Sequence, residues 1–200
     1  ILVGGSYISD NKFEKRIKKI KSSTDLPVIL FPGDANQVSK EADAILFLSL
    51  LSGRNPKYLI EEQVKSSLKI YKQNIEVIPT GYILIQTDKK SAVEIVSETN
   101  PISMNDLSSI LSHCLAAQFL GNKFLFIEAG SNSNYPPSST IIKEIVRHIN
   151  IPLIVGGGIK TEQDARTLSD SGASVIVIGS LIEQDCSLDD LKNINDAIHT

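Results

Sequence analysis

The sequence is poor in cysteine and has no long apolar run. Its two cysteines, Cys114 and Cys186, form no C-x-x-C pair and no metal-ligand spacing, a usage typical of free thiols in a reducing compartment. No apolar run reaches the roughly 18 residues that a membrane-spanning helix needs, and no secretory signal is visible. We therefore expect a cytoplasmic protein without a transmembrane helix.

An excess of basic charge is also absent. The formal net charge is -3, whereas general nucleic-acid binders carry a basic surface, so we expect no nucleic-acid partner. The local lysine cluster KFEKRIKKIKSS (12–23) has two interpretations. It is either the solvated face of an amphipathic helix or a surface attracted to anionic lipid head groups.

No Ser-His-Asp or Cys-His order appears along the chain. The histidines, His113, His148 and His199, lie in helical patterns or at the terminus, so we do not expect them to be catalytic.

Seven short apolar runs rich in Val, Ile, Leu and Phe recur along the chain. They are continuous rather than alternating, a pattern typical of strands buried on both faces. Amphipathic helical patterns separate most of them, and the gap at 33–43 has room only for a short helix. The apolar runs cover residues 1–5, 27–33, 44–53, 76–85, 123–130, 152–158 and 174–180. The helical patterns cover residues 57–73, 105–121, 139–149 and 161–172.

Strands that alternate with helices predict parallel β–α units. An open doubly wound sheet is one solution. A (β/α)₈ TIM-type barrel fits better, because glycines or polar residues follow nearly every strand, where barrels place their sites. The chain opens on Ile1 inside an apolar run. We therefore expect the first barrel strand to precede Ile1, and residues 1–200 to be a single domain holding strands two to eight.

Glycines end the last two predicted strands. Gly157 and Gly158 close one, and Gly179 and Ser180 close the next. In such barrels a phosphate often lies between these two loops, held by backbone N–H groups that glycine leaves accessible. The pattern predicts a phosphate-binding cup, the alternative being that the glycines serve only as turn residues.

The stretch FIEAGSNSN (126–134) places an acid at the end of a buried strand. A carboxylate there is costly unless it is paired or used. Glu128, followed by Gly130 and Ser131, is suited to hydrogen-bond or deprotonate a hydroxyl of a small phosphorylated molecule. The alternative is a structural carboxylate that caps the amides of its own loop.

Two further residues are weaker candidates. Arg54 follows a strand in SLLSGRNP and is a candidate for a second anion. Tyr82 interrupts an apolar strand in PTGYILI. By default, we interpret both stretches as parts of the apolar core.

Several motifs together resemble geranylgeranylglyceryl phosphate synthases, the PcrB-like prenyltransferases, and in particular their second group. The likeness runs from Ile1 to about residue 185, and SLLSGRNP and IEAGS are its specific parts. The motifs are ADAILFLSLLSGRNPKYLIEEQV, EVIPTGYILI, FIEAGS, PLIVGGGIKT and VIVIGS.

The resemblance implies a (β/α)₈ barrel that joins sn-glycerol 1-phosphate to a long prenyl diphosphate through an ether bond, releasing diphosphate. It implies Mg²⁺ as cofactor, with Ser6 as one ligand and an aspartate expected before Ile1 as its partner, and it implies a homo-oligomer. A lipid product also implies peripheral contact with a membrane. By resemblance, sn-glycerol 1-phosphate is held by Phe126, Ile127, Glu128, Ala129, Gly130, Ser131, Asn132, Gly157, Gly158, Gly179 and Ser180.

The chain departs from the family pattern at four positions. The metal-binding aspartate of the first strand is absent from the sequence, and Phe126 replaces the usual tyrosine, so that a hydroxyl is lost. Asn132 replaces a glycine and Ser180 an asparagine, although both can still donate from the backbone.

Within this scheme we expect Glu128 to orient or deprotonate the glycerol hydroxyl. The prenyl tail needs a surface groove near Phe31, Leu51 and Tyr82, because a barrel interior is packed, and we assign the prenyl diphosphate to Arg54 and Tyr82. Two alternatives stay open. One is a phosphosugar isomerase or lyase, which requires a lysine or a second carboxylate at a strand end. The other is a non-catalytic phosphate-binding relative.

Overall fold

Seven parallel strands form the centre of the protein. The computed structural model describes residues 1–5, 8, 12–131, 133–183 and 186–199. The strands pair in chain order, each with its sequence neighbour. All seven expected strands are confirmed, although the hydrogen-bonded parts are shorter than the apolar runs. They are β1 Leu2–Gly5, β2 Ile29–Pro32, β3 Ala44–Leu50, β4 Glu76–Leu84, β5 Phe124–Glu128, β6 Leu153–Gly156 and β7 Val175–Val177.

Helices fill most of the connections between strands. The expected helical patterns are confirmed, whereas 33–43 contains only turns. The helices are α1 Phe13–Lys21, α2 Glu62–Gln73, α3 Ala92–Ser97, α4 Leu107–Phe119, α5 Ser139–His148, α6 Glu162–Asp170, α7 Ser180–Glu183 and α8 Leu188–His199. A π-helical turn, Lys57–Glu61, precedes α2. None of the described helices is long and apolar enough to cross a membrane.

The sheet curls around a cluster of inward-facing side chains. Leu50, Tyr82, Phe126 and Ile154 are buried together, and their cluster extends to side chains of β2 and β7. Six neighbouring strands thus meet in one core. A doubly wound sheet reverses its strand order at a switch point, so the unbroken order excludes that alternative. In the described chain β1 and β7 are the two edges of the sheet.

Successive side chains of β5 point into two different apolar cores. Leu125 and Ile127 pack outward against helices α4 and α5 in the largest apolar cluster, and each such buried side chain contributes about 1.5–3 kcal/mol. Phe126 and Glu128 are the alternate residues and face the inside of the curl, since successive strand side chains point to opposite faces. This register places a carboxylate inside the carboxyl-terminal end of the sheet.

A capping box fixes the start of α6, immediately after the glycine-rich loop of β6. The Thr161 hydroxyl accepts from the Asp164 amide at 3.1 Å, and the Asp164 carboxylate accepts from the Thr161 amide at 3.0 Å. The same carboxylate accepts from the Lys160 amide at 3.1 Å. The box therefore anchors the end of the loop that carries Gly157 and Gly158.

Thr161→Ala is expected to lower the free energy of unfolding by about 1 kcal/mol, because it removes the N-cap acceptor. Urea unfolding measures the change. Thr167→Ala in the same helix is the matched control. It is expected to lie within about 0.5 kcal/mol of the unmodified protein, since alanine is the better helix former. Equal effects of the two substitutions would contradict the role of the cap.

Candidate active site

A groove of about 1330 Å³ runs along the inside of the curled sheet to the carboxyl-terminal ends of the strands. Residues of both edge strands line it, among them Gly4 of β1 and Val177 of β7. One groove can contact both edges only because the sheet curls. Its position agrees with the end of the strands where barrel enzymes place their chemistry.

Glu128 ends β5 at the base of the groove and is only 8% exposed. Its Oε1 accepts from the Gly130 amide at 2.6 Å, and the Tyr82 side chain hydrogen-bonds to the same carboxyl group. The Tyr82 ring packs against Phe31 and Phe126, with ring centroids 5.9 and 5.2 Å away. An apolar wall therefore covers one side of the carboxylate.

Burial raises the pKa of Glu128 from its ordinary value of 4.5 to about 7, and the hydrogen bonds from Gly130 and Tyr82 oppose this rise. Burial, together with the charge of Glu128, raises the pKa of the Tyr82 hydroxyl well above its usual range. Tyr82 therefore remains a hydrogen-bond donor at neutral pH. Glu128 exchanges its proton near neutrality, as a general base requires.

The two glycines after β6 are required by the close approach of neighbouring loops. Gly157 has φ +82° and Gly158 φ +75°, values that favour glycine. A Cβ at Gly157 would lie 2.7 Å from Glu128 Oε1, and one at Gly158 would lie 2.2 Å from the Tyr135 carbonyl oxygen. Any side chain at either position would displace the carboxylate or the β5 loop.

The loops after β5, β6 and β7 meet around backbone donors. The Ser180 hydroxyl donates to the Ser131 carbonyl, which joins the β7 loop to the β5 loop. The backbone N–H groups of Gly158, Gly179 and Ser180 have no acceptor among the described residues. Free N–H groups gathered around a groove suit an anion such as phosphate.

Not all of the predicted ligand residues line the groove. Phe126, Ile127 and Ala129 are almost fully buried in the cores and do not line the groove, so any ligand contact there would be through the backbone. Ser6 and Asn132 lie outside the described residues. The predicted residues that do line the groove are Tyr82, Glu128, Gly130, Ser131, Gly157, Gly158, Gly179 and Ser180.

Arg54 lies apart from the groove. Its guanidinium donates to the Leu51 and Gly53 carbonyls at 3.0 and 2.7 Å and contacts His113 at 3.4 Å. Of the residues expected along the prenyl tail, Phe31 lines the groove and Leu51 does not. The assignment of Arg54 to a diphosphate stays a prediction from the sequence.

Three lysines that were not predicted, Lys89, Lys90 and Lys160, also line the groove. Lys89 follows β4 and Lys160 follows the glycine-rich loop of β6. Lys160 could have been found from the sequence, since it lies two residues after Gly158 in GGGIKT. Lys89 could not, because only the folded loops bring it to this place.

The described residues do not by themselves provide a magnesium site. They contain no group of three or more His, Cys, Asp or Glu side chains placed to hold a metal ion. The described carboxylates therefore do not fit the expected ion.

The raised pKa of Glu128 predicts a pH-dependent effect of Glu128→Gln on stability. The stability that the protonated carboxyl provides is complete below about pH 4.5 and is lost as the pH rises through about 7. At pH 8 the variant is expected to be more stable than the unmodified protein by roughly 2–3 kcal/mol. At pH 4 the two are expected to be equal. Urea unfolding at both pH values measures this, and a variant that gains nothing at pH 8 would contradict it.

The sequence matches a known family over almost its whole length. The model of the PcrB family matches residues 1–198. A geranylgeranylglyceryl phosphate synthase of Zunongwangia profunda is 45% identical over 92% of this chain and 78% of the relative. One of Methanosphaera stadtmanae is 40% identical over 100% of this chain and 82% of the relative.

Solved structures give the same result. A crystal structure of (S)-3-O-geranylgeranylglyceryl phosphate synthase from Thermoplasma acidophilum, in complex with its substrate sn-glycerol-1-phosphate, superposes with a TM-score of 0.93. It is 36% identical, and the match covers 98% of this chain and 80% of that chain. A thiamine phosphate pyrophosphorylase from Pyrococcus furiosus, 14% identical with a TM-score of 0.60, shares the fold. The chain belongs to the PcrB family.

Proposed function

We propose that the protein is a geranylgeranylglyceryl phosphate synthase. It forms the ether bond between sn-glycerol 1-phosphate and geranylgeranyl diphosphate or another long prenyl diphosphate. The observation that carries this function is a buried carboxylate, Glu128, whose pKa is about 7 beside a cup of free backbone N–H groups. The relatives that bear this name, at 36–45% identity, support the same reaction.

The cup provides the site for sn-glycerol 1-phosphate. Its phosphate is held by the N–H groups of Gly158, Gly179 and Ser180, and the glycerol end extends toward Glu128. Gly157 leaves the space over the carboxylate open, because a Cβ there would lie 2.7 Å from Oε1. The Gly130 amide and the Tyr82 side chain fix the orientation of the carboxylate.

In the reaction, a glycerol hydroxyl attacks the allylic carbon of the prenyl diphosphate. A new C–O ether bond forms, the bond from that carbon to the diphosphate breaks, and diphosphate leaves with the bonding electron pair. Glu128 orients the hydroxyl and accepts its proton. The apolar groove wall at Phe31 and Tyr82 excludes water from the allylic carbon, which would otherwise be hydrolysed.

Magnesium is part of this proposal on the strength of the family resemblance. A diphosphate leaving group needs charge stabilisation, which Mg²⁺ supplies when it is bound. The described side chains form no group of three or more metal ligands.

The seven strands are proposed to be seven of the eight strands of a (β/α)₈ barrel. The sheet curls so far that its edges, β1 and β7, line one groove, yet they do not pair with each other among the described residues. The agreement with the Thermoplasma acidophilum structure, at a TM-score of 0.93, supports this assignment.

A homo-oligomer is also part of the proposal. Helix α2 exposes apolar residues at helical spacing, with Val64 65%, Leu68 62% and Tyr71 81% exposed. Such a stripe on one face is typical of a surface that packs against another protein.

Peripheral contact with membrane lipid is proposed through helix α1. Lys15, Lys18 and Lys19 of α1 are exposed, and a basic helix face attracts anionic head groups.

The free thiols of Cys114 and Cys186 support a cytoplasmic location, because reducing compartments keep cysteines unpaired.

Product formation tests the reaction directly. Labelled sn-glycerol 1-phosphate and geranylgeranyl diphosphate are incubated with the protein, with and without Mg²⁺, and the ether product is measured. Glu128→Gln is expected to lower kcat at least about a hundredfold, because the proton acceptor is lost. The activity of the unmodified protein is expected to rise with pH through about 7, since Glu128 acts in its ionised form.

Glu76→Gln is the matched control, since Glu76 is exposed at the opposite end of β4, and it is expected to leave the rate unchanged. No product from any prenyl chain length, with binding of glycerol phosphate intact, would overturn the transferase. Full activity of Glu128→Gln would overturn the role of Glu128.

Leu68→Glu is expected to lower the mass of the protein in solution, because it places a charge in the apolar stripe of α2. Light scattering measures the mass of the unmodified protein, the variant and Lys143→Glu, a control on the exposed face of α5. The unmodified protein and the control are expected to share a mass above that of one chain. A one-chain mass for the unmodified protein would overturn the oligomer.

A further inference from the structure

Two lysine side chains from separate loops converge on one amide oxygen at the rim of the groove. Lys89 Nζ donates to Asn134 Oδ1 at 3.3 Å, and Lys160 Nζ donates to the same atom at 3.1 Å. Lys89 belongs to the β4–α3 loop, Asn134 to the β5–α5 loop and Lys160 to the β6–α6 loop. Three successive loops thus gather two positive charges at a single acceptor.

This cluster lies beside the phosphate cup. Lys160 is two residues beyond Gly158, and Gly158 packs against the backbone of Tyr135, the neighbour of Asn134. Both lysines line the same groove as the cup residues. An anion held by the N–H groups of the cup is therefore near both ammonium groups.

Neither ammonium group is neutralised by an acid. Among the described residues, no carboxylate lies within 4.0 Å of Lys89 or Lys160 Nζ. The nearby carboxylate, Asp88, instead accepts from the Asn134 backbone amide at 3.1 Å and from Asn134 Nδ2 at 2.5 Å. These two bonds turn Oδ1 of Asn134 toward the lysines.

A neutral amide oxygen is a weak partner for two ammonium groups, and a phosphate oxygen is a far stronger one. Asn134 Oδ1 therefore lies between the two ammonium groups, where a phosphate oxygen would be the more favourable partner. It holds two long, flexible side chains close together, which lowers the entropy lost when an anion binds.

We infer that Lys89 and Lys160 bind the phosphate of the glycerol phosphate substrate and, with Asn134, set the preference of the cup for a doubly charged phosphate monoester. The inference rests on the proposed function. The phosphate of sn-glycerol 1-phosphate and the diphosphate of the prenyl substrate share the chemistry that ammonium groups recognise. The position beside Gly158 favours the first.

The test compares Lys89→Gln, Lys160→Gln and the double variant with the unmodified protein. Calorimetric titration with sn-glycerol 1-phosphate measures binding without turnover. Each single substitution is expected to weaken binding about threefold to tenfold and the double variant more, because charge-assisted hydrogen bonds to the phosphate are lost. The salt dependence of the affinity is expected to fall with each lysine removed. Lys143→Gln on α5 is the control and is expected to bind normally.

Steady-state kinetics identifies which substrate the lysines contact. The double variant is expected to raise KM for sn-glycerol 1-phosphate with little change in kcat, and to leave KM for the prenyl diphosphate unchanged. A raised KM for the prenyl diphosphate alone would overturn the inference, as would unaltered glycerol phosphate binding in the double variant. If the unmodified protein neither binds glycerol phosphate nor forms product, the proposed function itself fails.

Discussion

The site depends on one costly interaction, the burial of the Glu128 carboxylate inside the curled sheet. A buried, ionised carboxylate is unfavourable unless hydrogen bonds stabilise it, and here the Gly130 amide and the Tyr82 side chain do so. The compensation is incomplete, and the pKa stays near 7. Glu128 therefore has a pKa close to neutral pH, which is the range that suits a general base best.

The rest of the site follows from keeping that carboxylate in place. Phe126 and Tyr82 pack beside it and exclude water, and Gly156 lets the Phe126 ring approach, since a Cβ there would lie 3.1 Å from Cζ. Gly157 leaves room above it. The glycines after β6 have no side chain, so they leave room for the Glu128 carboxylate. The loops that contain them also leave backbone N–H groups free for a phosphate, so one arrangement of loops forms both the acid site and the anion site.

The architecture was predictable because it depends on local patterns. Continuous apolar runs such as 44–53 and 152–158 identify buried parallel strands, and the order of strands follows from their alternation with helices. Strand ends were predicted too long, because an apolar run continues into the loop after the last ladder hydrogen bond. The short helix α3 begins at a serine cap, Ser91, and has too few residues to show a helical period.

The site was predictable only in part. Glu128 and the glycines stand at strand ends, where position alone indicates a role. Lys89 and Asn134 are far apart in sequence, and only the packing of loops brings them to Lys160. Arg54 follows β3 and lies near a strand end as Glu128 does, yet its guanidinium donates to the Leu51 and Gly53 carbonyls of its own loop. Sequence position indicates which loop a side chain belongs to, but not where its charged end lies.

The most direct test of the account is a crystal structure of the protein with sn-glycerol 1-phosphate bound. We expect the phosphate to lie against the amides of Gly158, Gly179 and Ser180, and a glycerol hydroxyl to hydrogen-bond to Glu128. A phosphate bound elsewhere in the groove, or a glycerol turned away from Glu128, would contradict it.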